Sequence, residues 1–129
     1  MSRYNDLDMQ QWHEYEDVLT TSFWTFQREN SGVHNASYHG NFIPQVPRQL
    51  FTRYTKKGDW ILDPFMGSGT SLIEAQRMGR NSVGIELQSE VAKEVMGRLR
   101  QELNPNCSTN VWVADSKTID MENILRTYN

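Results

Sequence analysis

Apolar residues recur along the 129-residue chain with two different spacings, which predicts strands that alternate with helices. Three short apolar runs predict strands, and an acid stands at the end of each: Trp60–Leu62 precedes Asp63, Ser82–Leu87 contains Glu86, and Asn110–Ala114 precedes Asp115. Between these runs, apolar residues repeat every three or four positions, as they do on one face of a helix. This alternation predicts an α/β fold, a parallel sheet with flanking helices.

Helical spacing marks the segments at about Asp6–Gln27, Pro47–Thr55, Thr70–Met78, Ser89–Leu103 and Asp120–Thr127. We expect the longest of them to cover one face of the sheet, and a docking surface for a partner is the alternative. At this length the chain is at most one domain. We divide it into an N-terminal helix and loop, residues 1–45, and a βαβαβ core, residues 46–129.

Apolar stripes predict the residues that face the core in the segments 89–103 and 120–127, and a helix in the segment 47–55. The stripe of the segment 89–103 comprises Val91, Ala92, Val95, Met96, Leu99 and Leu103. The residues expected to face solvent there are Lys93, Glu94, Arg98 and Glu102. One side of the segment 47–55 carries Leu50, Phe51 and Tyr54. In the last helix, Asp120 is the expected cap, with Ile124 and Leu125 facing inward.

A turn that contains two glycines follows the first predicted strand, in the sequence Asp63-Pro-Phe-Met-Gly-Ser-Gly-Thr70. Glycine tolerates positive φ and lets the backbone approach a ligand closely. Free N–H groups at the start of the next helix would face that ligand. Right-handed crossovers would also place Asp63, Glu86 and Asp115 along one edge of the sheet, where α/β proteins bind ligands. The sequence therefore predicts a ligand pocket at this edge.

The residues of the turn discriminate between ligands. A dinucleotide fingerprint that starts at Gly67 would need glycine or alanine where Leu72 stands, and a phosphate-binding P-loop would need a lysine that the turn lacks. An acid at the strand end repels a pyrophosphate but suits a cationic group, such as the ammonium of an amino acid. S-adenosylmethionine, which carries an ammonium, a sulfonium and a ribose, therefore fits better than a nicotinamide dinucleotide.

The segment Asp63–Glu74, continued by Gly79–Leu87, resembles the cofactor-binding half of the amino-group DNA methyltransferases, which methylate adenine N6 or cytosine N4. The upstream segments His34–Pro44 and Val46–Thr55 are similar to the element that precedes the glycine turn in that family. The resemblance covers the chain from about residue 24 to residue 115. It implies a partial Rossmann-like methyltransferase fold, truncated before the fourth strand, with S-adenosylmethionine as the cofactor.

The resemblance also implies a set of site residues. Glu86 lies 17 residues after Gly69 (86 − 69), close to the ~20-residue offset expected of an acid that bonds ribose hydroxyls, and an incidental surface glutamate is its alternative. Asp115 would accept a bond from the adenine amino group, and a capping role is its alternative. Residues 39–42 would line the methionine end of the pocket, and a purely structural loop is the alternative there. The cofactor-binding residues predicted are Asp63, Pro64, Phe65, Gly67, Ser68, Gly69, Thr70, Glu86, Leu87, Asp115, His39, Asn41 and Phe42.

The catalytic motif of that family, Asp/Asn/Ser-Pro-Pro-Tyr/Phe, does not occur in this chain. None of its four prolines is adjacent to another; they are Pro44, Pro47, Pro64 and Pro105. We therefore assign no catalytic residue and expect either a fragment of a longer enzyme or a subunit whose partner carries the motif. A non-catalytic cofactor-binding or assembly subunit is the alternative. DNA would then be bound through the missing part or through a partner chain.

The first predicted strand would have an open edge if no fourth strand lies beside it. An open edge exposes unpaired backbone groups that can pair with another chain. The sequence therefore predicts a homodimer or a hetero-oligomer that forms through this edge.

Composition limits the other possibilities. The net charge is −3, and the basic residues are scattered apart from a modest group at Arg48, Arg53, Lys56 and Lys57. Proteins that bind duplex DNA usually have clustered basic residues, so this chain is not self-evidently the part that binds DNA. A single cysteine excludes an internal disulfide and a cysteine-based zinc site, and the histidines lack metal-ligand spacing, so we predict no metal site. No apolar run approaches the ~20 residues of a membrane span and no signal peptide is evident, which predicts a cytoplasmic protein.

Overall fold

The structure is a computed structural model that describes residues 4–19 and 43–128. A 3-10 helix occupies Met9–Glu14. The elements that follow are α1 (Gln45–Tyr54), β1 (Trp60–Asp63), α2 (Thr70–Arg77), β2 (Asn81–Glu86), α3 (Ser89–Gln101), β3 (Thr109–Val113) and α4 (Met121–Thr127). No helix in these two ranges is long and apolar enough to cross a membrane.

The described strands form a parallel sheet in the order β1-β2-β3. Leu62 lies opposite Val83 in the first pair of strands, and Val83 lies opposite Asn110 in the second. Helices α2 and α3 connect successive strands, because parallel neighbours need a crossover rather than a tight turn. The structure thus confirms the predicted α/β class and the parallel sheet with flanking helices.

The two faces of the central strand β2 pack against different helices. Val83 and Ile85 point towards α4, where they pack with the buried Ile124. The alternate residue Gly84 lies under α2, and a Cβ there would be only 2.6 Å from Leu72 Cδ2. A residue without a side chain therefore lets α2 approach the sheet. On this second face the core contains Met66, Leu72, Ile73, Ala92, Val95 and Leu99.

An almost fully buried carboxylate joins α1 to α2. Glu74 is 1% exposed and accepts hydrogen bonds from Arg48 Nε and Nη2 at 3.3 Å and from Arg77 Nη1 at 3.4 Å. Arg77 also contacts Glu102, with 2.7 Å between Nε and Oε2, and this bond is the main cause that raises the pKa of Arg77. These ion pairs hold α1 and the end of α3 against α2, the helix that begins at the glycine turn.

A buried arginine, Arg80, links the end of α1 to the start of β2. The guanidinium of Arg80 donates to Thr55 Oγ1, to the carbonyl of Thr55 and to the carbonyls of Phe51 and Met78, at distances between 2.8 and 3.2 Å. Burial lowers the pKa of Arg80, while the negative charges of Asp6 and Asp59 act in the opposite direction. These bonds supply donors to carbonyl groups at the C-terminal ends of α1 and α2, where helical carbonyls lack partners within the helix.

The predicted N-terminal helix is wrong over residues 6–19, where the structure has only the short 3-10 helix. Side chains compete there with helical hydrogen bonding, because Asn5 Oδ1 accepts from Leu7 N and Asp8 Oδ1 accepts from Gln10 N. Gln11 also has a non-helical backbone, with φ −113° and ψ 27°. The remainder of that prediction, residues 20–27, lies outside the described residues.

The other predicted helices are confirmed within one to two residues at most ends, but some of their faces are corrected. In α1, Leu50 and Tyr54 are exposed, while Pro47 and Gln49 are buried, and the Gln49 side chain accepts a 3.0 Å bond from Leu19 N. The corrected apolar residues, which are exposed rather than inward, are Leu103 after the end of α3 and Leu125 of α4. Asp120 caps α4 as predicted, because its Oδ1 accepts from Asn123 N at 3.0 Å.

Candidate cofactor site

The turn between β1 and α2 has the backbone geometry that its glycines predict. Gly67 has φ +51° and Gly69 has φ +80°, both in the left-handed region that favours glycine. The N–H of Gly69 donates to Met66 O at 2.9 Å and closes the turn, and α2 begins at the next residue. At the strand end, Asp63 Oδ1 accepts a 3.1 Å bond from Phe65 N, which orients this carboxylate at the start of the turn.

Glu86 links the turn to the end of β2. Its Oε2 accepts a hydrogen bond from Gly67 N and its Oε1 accepts one from Gln88 N, both at 3.0 Å. The carboxylate is therefore held on both sides by backbone N–H groups. Each carboxylate oxygen has two lone pairs, so each oxygen can accept one more hydrogen bond. This arrangement suits a pair of neighbouring hydroxyl groups, such as those of a ribose.

The loop after β3 reaches the same edge of the sheet. Ser116 Oγ donates to the carbonyl of Pro64, which ties this loop to the glycine turn. The preceding Asp115 is exposed, and its Oδ1 accepts a 2.9 Å bond from Lys117 N. That local bond corresponds to the capping role, and the bond to a cofactor amino group stays a prediction.

The side chains of the turn divide into buried and exposed ones. Ser68 and Thr70 are buried, with their hydroxyl oxygens 3.4 Å apart, so these two residues would offer a ligand their backbone rather than their hydroxyls. In contrast, Phe65 is 76% exposed and Leu87 is 67% exposed. Two apolar side chains are therefore accessible beside the polar groups of the site, where they could pack against a flat ring.

The structure brings together most of the predicted site. The glycine turn, Glu86 and the loop of Asp115 meet at the carboxyl edge of the sheet, through the bonds from Gly67 to Glu86 and from Ser116 to Pro64. The predicted residues His39, Asn41 and Phe42 lie outside the described residues. In the ranges 4–19 and 43–128, no three or more His, Cys, Asp or Glu side chains are grouped so that they could hold a metal ion.

Sequence reasoning missed the support that α3 and the β3–α4 loop give to the turn. Arg98, expected to face solvent, is only 14% exposed and donates a 2.8 Å bond from Nη1 to Ser68 O. Glu102, also expected to face solvent, pairs with Arg77. The spacing carried a signal for Arg98, since it lies three residues after the core residue Val95 and therefore close to the same helix face.

Comparison with known proteins identifies relatives that share this region. The DNA methylase family of N6 and N4 methyltransferases matches residues 2–97, more than half of the chain. The Type II methyltransferase M.MjaII of Methanocaldococcus jannaschii is 48% identical over 56 residues, which are 43% of this chain and 10% of that protein. The Type II methyltransferase M2.DpnII of Streptococcus pneumoniae is 42% identical over 71 residues, 52% of this chain and 26% of that protein.

Among solved structures, TTHA0409 of Thermus thermophilus, determined in complex with S-adenosyl-L-methionine, is 36% identical, with a TM-score of 0.49. The similarity covers 57% of this chain and 30% of that one. The chain thus spans less than a third of the length of each of these three proteins. The family match, together with a glycine turn and an anchored acid at the carboxyl edge of a parallel sheet, confirms the resemblance, and the chain belongs to the DNA methylase family.

Proposed function

We propose that this chain is the cofactor-binding part of a DNA methyltransferase that methylates adenine N6 or cytosine N4. The observation that carries the proposal is the Glu86 carboxylate, fixed by Gly67 N and Gln88 N and still able to accept two hydroxyl bonds. A ribose diol matches this acceptor. The positive-φ glycines beside it leave room for close approach of the ligand to the backbone.

The other residues of the site suit the rest of S-adenosylmethionine. The Asp63 carboxylate, at the end of β1, would attract the ammonium group. Phe65 and Leu87 present exposed apolar surface, against which the adenine ring could pack. The bound cofactor would supply an electrophilic methyl group, which the exocyclic amine of a DNA base attacks. In this chain the site residues bind and orient, and such positioning is a large part of catalysis.

The groups that contact the base would come from elsewhere. The sequence contains no Pro-Pro-Tyr-type motif, so we assign it no catalytic residue and propose that the rest of the enzyme or a partner chain supplies the motif and the contacts to DNA. The names of the relatives, Type II methyltransferases, favour a restriction-modification role. The family match favours this function over a non-catalytic assembly subunit. We also propose a cytoplasmic location.

The outer edge of β1 is the proposed contact with another chain. Among the described residues, β1 pairs with β2 alone, so the second edge of this strand has no partner there. A groove of about 110 Å³ lies beside this edge, and its lining has no charged residue: Trp60, Ile61, Leu62, Val83, Ile124, Leu125 and Tyr128. An unpaired edge next to apolar surface favours strand pairing with another chain. We therefore propose a homodimer or a hetero-oligomer through β1.

Three measurements test these proposals. Transfer of a labelled methyl group from S-adenosylmethionine to DNA should require a polypeptide that carries the Pro-Pro motif, and transfer by this chain alone would contradict the division of roles. Calorimetry should detect binding of S-adenosylhomocysteine and none of NAD, and the reverse would refute the cofactor assignment. For the homodimer, light scattering should give a mass above that of one chain for the wild type and a lower mass for Leu62→Lys, whereas two equal masses would refute self-association through β1.

A further inference from the structure

Helix α3 contacts the glycine turn with two side chains that lie close to one face of the helix. Arg98 Nη1 donates a hydrogen bond of 2.8 Å to Ser68 O. Val95 packs against Gly69 so closely that an added Cβ would lie 2.5 Å from Val95 Cγ1. Because residues three positions apart are neighbours on a helix surface, a single face of α3 supports two successive residues of the turn.

The carbonyl of Ser68 needs a donor from outside the turn. The turn is closed by the bond from Gly69 N to Met66 O, and the first bond of α2 runs from Ile73 N to Gly69 O, both at 2.9 Å. Neither bond uses the Ser68 carbonyl, and Ser68 is buried. A buried carbonyl without a donor is costly, and a charged donor forms a stronger bond than a neutral one. The guanidinium of Arg98 meets this requirement.

The guanidinium is also restrained on its other side. Arg98 Nη2 donates to Glu94 Oε2 at 3.1 Å, and Glu94 lies one helical turn earlier on α3. The exposed fractions are 14% for the Arg98 side chain and 65% for Glu94. An ion pair with such an exposed partner contributes little to stability by itself. The ion pair with Glu94 therefore does not explain why Arg98 is so little exposed, whereas its bond to the Ser68 carbonyl does.

We propose that Arg98 is a positioning residue for cofactor binding, because it fixes the peptide between Ser68 and Gly69. The Ser68 carbonyl and the Gly69 N–H belong to one planar group, so a bond that holds the carbonyl also holds the N–H that closes the turn. The same turn presents Gly67 N to Glu86. Arg98, which contacts the turn from α3, thus preserves the shape of the surface that receives the cofactor. This inference rests on the proposed function.

The test is the affinity of the purified protein for S-adenosylhomocysteine, measured by calorimetry on Arg98→Met. Methionine keeps helix propensity and much of the side-chain volume but cannot donate. We expect about tenfold weaker binding, the effect of losing roughly one hydrogen bond from a charged donor. Arg98→Lys, which retains a donor, should recover most of the affinity. Arg100→Met, the same substitution at an exposed position of α3, should bind as the wild type does.

A destabilised control separates positioning from mere stability. Leu99→Ala removes a buried core side chain of α3 that is not one of the two contacts to the turn, so it should lower the melting temperature and leave affinity unchanged. In Arg98→Met without ligand, exchange of the Gly69 amide hydrogen should be faster than in Arg100→Met. This second measurement needs no cofactor and reports on the turn directly.

The outcomes distinguish this inference from the proposed function. Wild-type affinity in Arg98→Met, or equal losses in Arg98→Met and Leu99→Ala, would overturn the positioning role while the wild type still binds. Failure of the wild type to bind S-adenosylhomocysteine would refute the proposed function and this inference with it. Unchanged Gly69 exchange in Arg98→Met would refute the claim that the guanidinium holds this peptide.

Discussion

Replacement of Gly69 by alanine should destabilise the protein through two separate effects. Its φ of +80° is a left-handed conformation, which costs an L-residue about 1–2 kcal/mol. The new Cβ would also lie 2.5 Å from Val95 Cγ1 and 3.1 Å from Val95 Cγ2, so the buried Val95 or the turn must move. Overpacking of this kind costs about 1–3 kcal/mol. We therefore expect a loss of about 2–5 kcal/mol, out of a total stability on the order of 5–15 kcal/mol.

Gly58→Ala is the matched control for this substitution. Gly58 has a similar φ of +87°, but no atom lies within 4 Å of its added Cβ, so only the backbone effect applies and the loss should be about 1–2 kcal/mol. Urea unfolding followed by circular dichroism gives both free energies of unfolding. The double variant with Val95→Ala should show a favourable coupling of about 1 kcal/mol, because the smaller side chain relieves the clash. Equal losses for the two glycines, or a coupling near zero, would refute the close contact between α3 and the turn.

Two further substitutions and one chemical modification test other contacts of the fold. Arg80→Met should lower the free energy of unfolding by about 3 kcal/mol in urea titrations, because it removes a buried guanidinium that donates to partly buried carbonyls such as that of Thr55. A loss below about 1 kcal/mol would contradict the proposed role of these bonds. Glu74→Ala should cost about 2–4 kcal/mol in the same assay, since it removes a partner of Arg48 and of Arg77 and leaves a cavity. A stability equal to that of the wild type would refute the ion-pair account. Burial raises the pKa of the Cys107 thiol, so at pH 8 this side chain should contain less thiolate than a cysteine in an unfolded peptide. Cys107 should therefore react with iodoacetamide more slowly than that peptide, and an equal rate would contradict this burial.

The strands and the core could be predicted because they depend on local patterns. Each predicted strand is present with a shift of about one residue, and the core residues Ala92, Val95, Leu99 and Ile124 were all predicted from apolar spacing. The edge that carries the site followed from parallel topology alone, since consecutive right-handed crossovers bring the carboxyl ends of strands together. Chain order and periodicity contain this information.

The faces of the shorter helices could not be predicted in the same way. In the two-turn helix α4, Ile124 is buried whereas the adjacent Leu125 is exposed and lines the groove beside β1. Apolar spacing cannot tell a residue that packs on the sheet from one that faces an open strand edge. The prediction of a helix over residues 6–19 was wrong for another reason. The short side chains of Asn5 and Asp8 accept bonds from nearby backbone N–H groups, which competes with helical hydrogen bonding.

The contacts of the charged residues of α3 and its C-terminal end could not be predicted from the sequence either. A charged residue next to an apolar stripe is expected to be solvated, yet Arg98 and Glu102 find specific partners on other elements. These partners, Ser68 and Arg77, are distant along the chain. Only the packing of α3 against α2 brings the groups within reach, and the length of an arginine side chain allows many alternatives. The pairing therefore follows from the tertiary structure.

The most direct test of the central claim is the affinity of Glu86→Gln for S-adenosylhomocysteine, measured by calorimetry beside the wild type. Glutamine has one acceptor oxygen and no charge, so it cannot hold Gly67 N and Gln88 N and also accept two hydroxyls. We predict an affinity about 10–100-fold weaker, from the loss of hydrogen bonds to a charged acceptor. Glu90→Gln, at an exposed position in the first turn of α3, should bind as the wild type does. Equal affinities for Glu86→Gln and the wild type would contradict the assignment of the cofactor to this edge of the sheet.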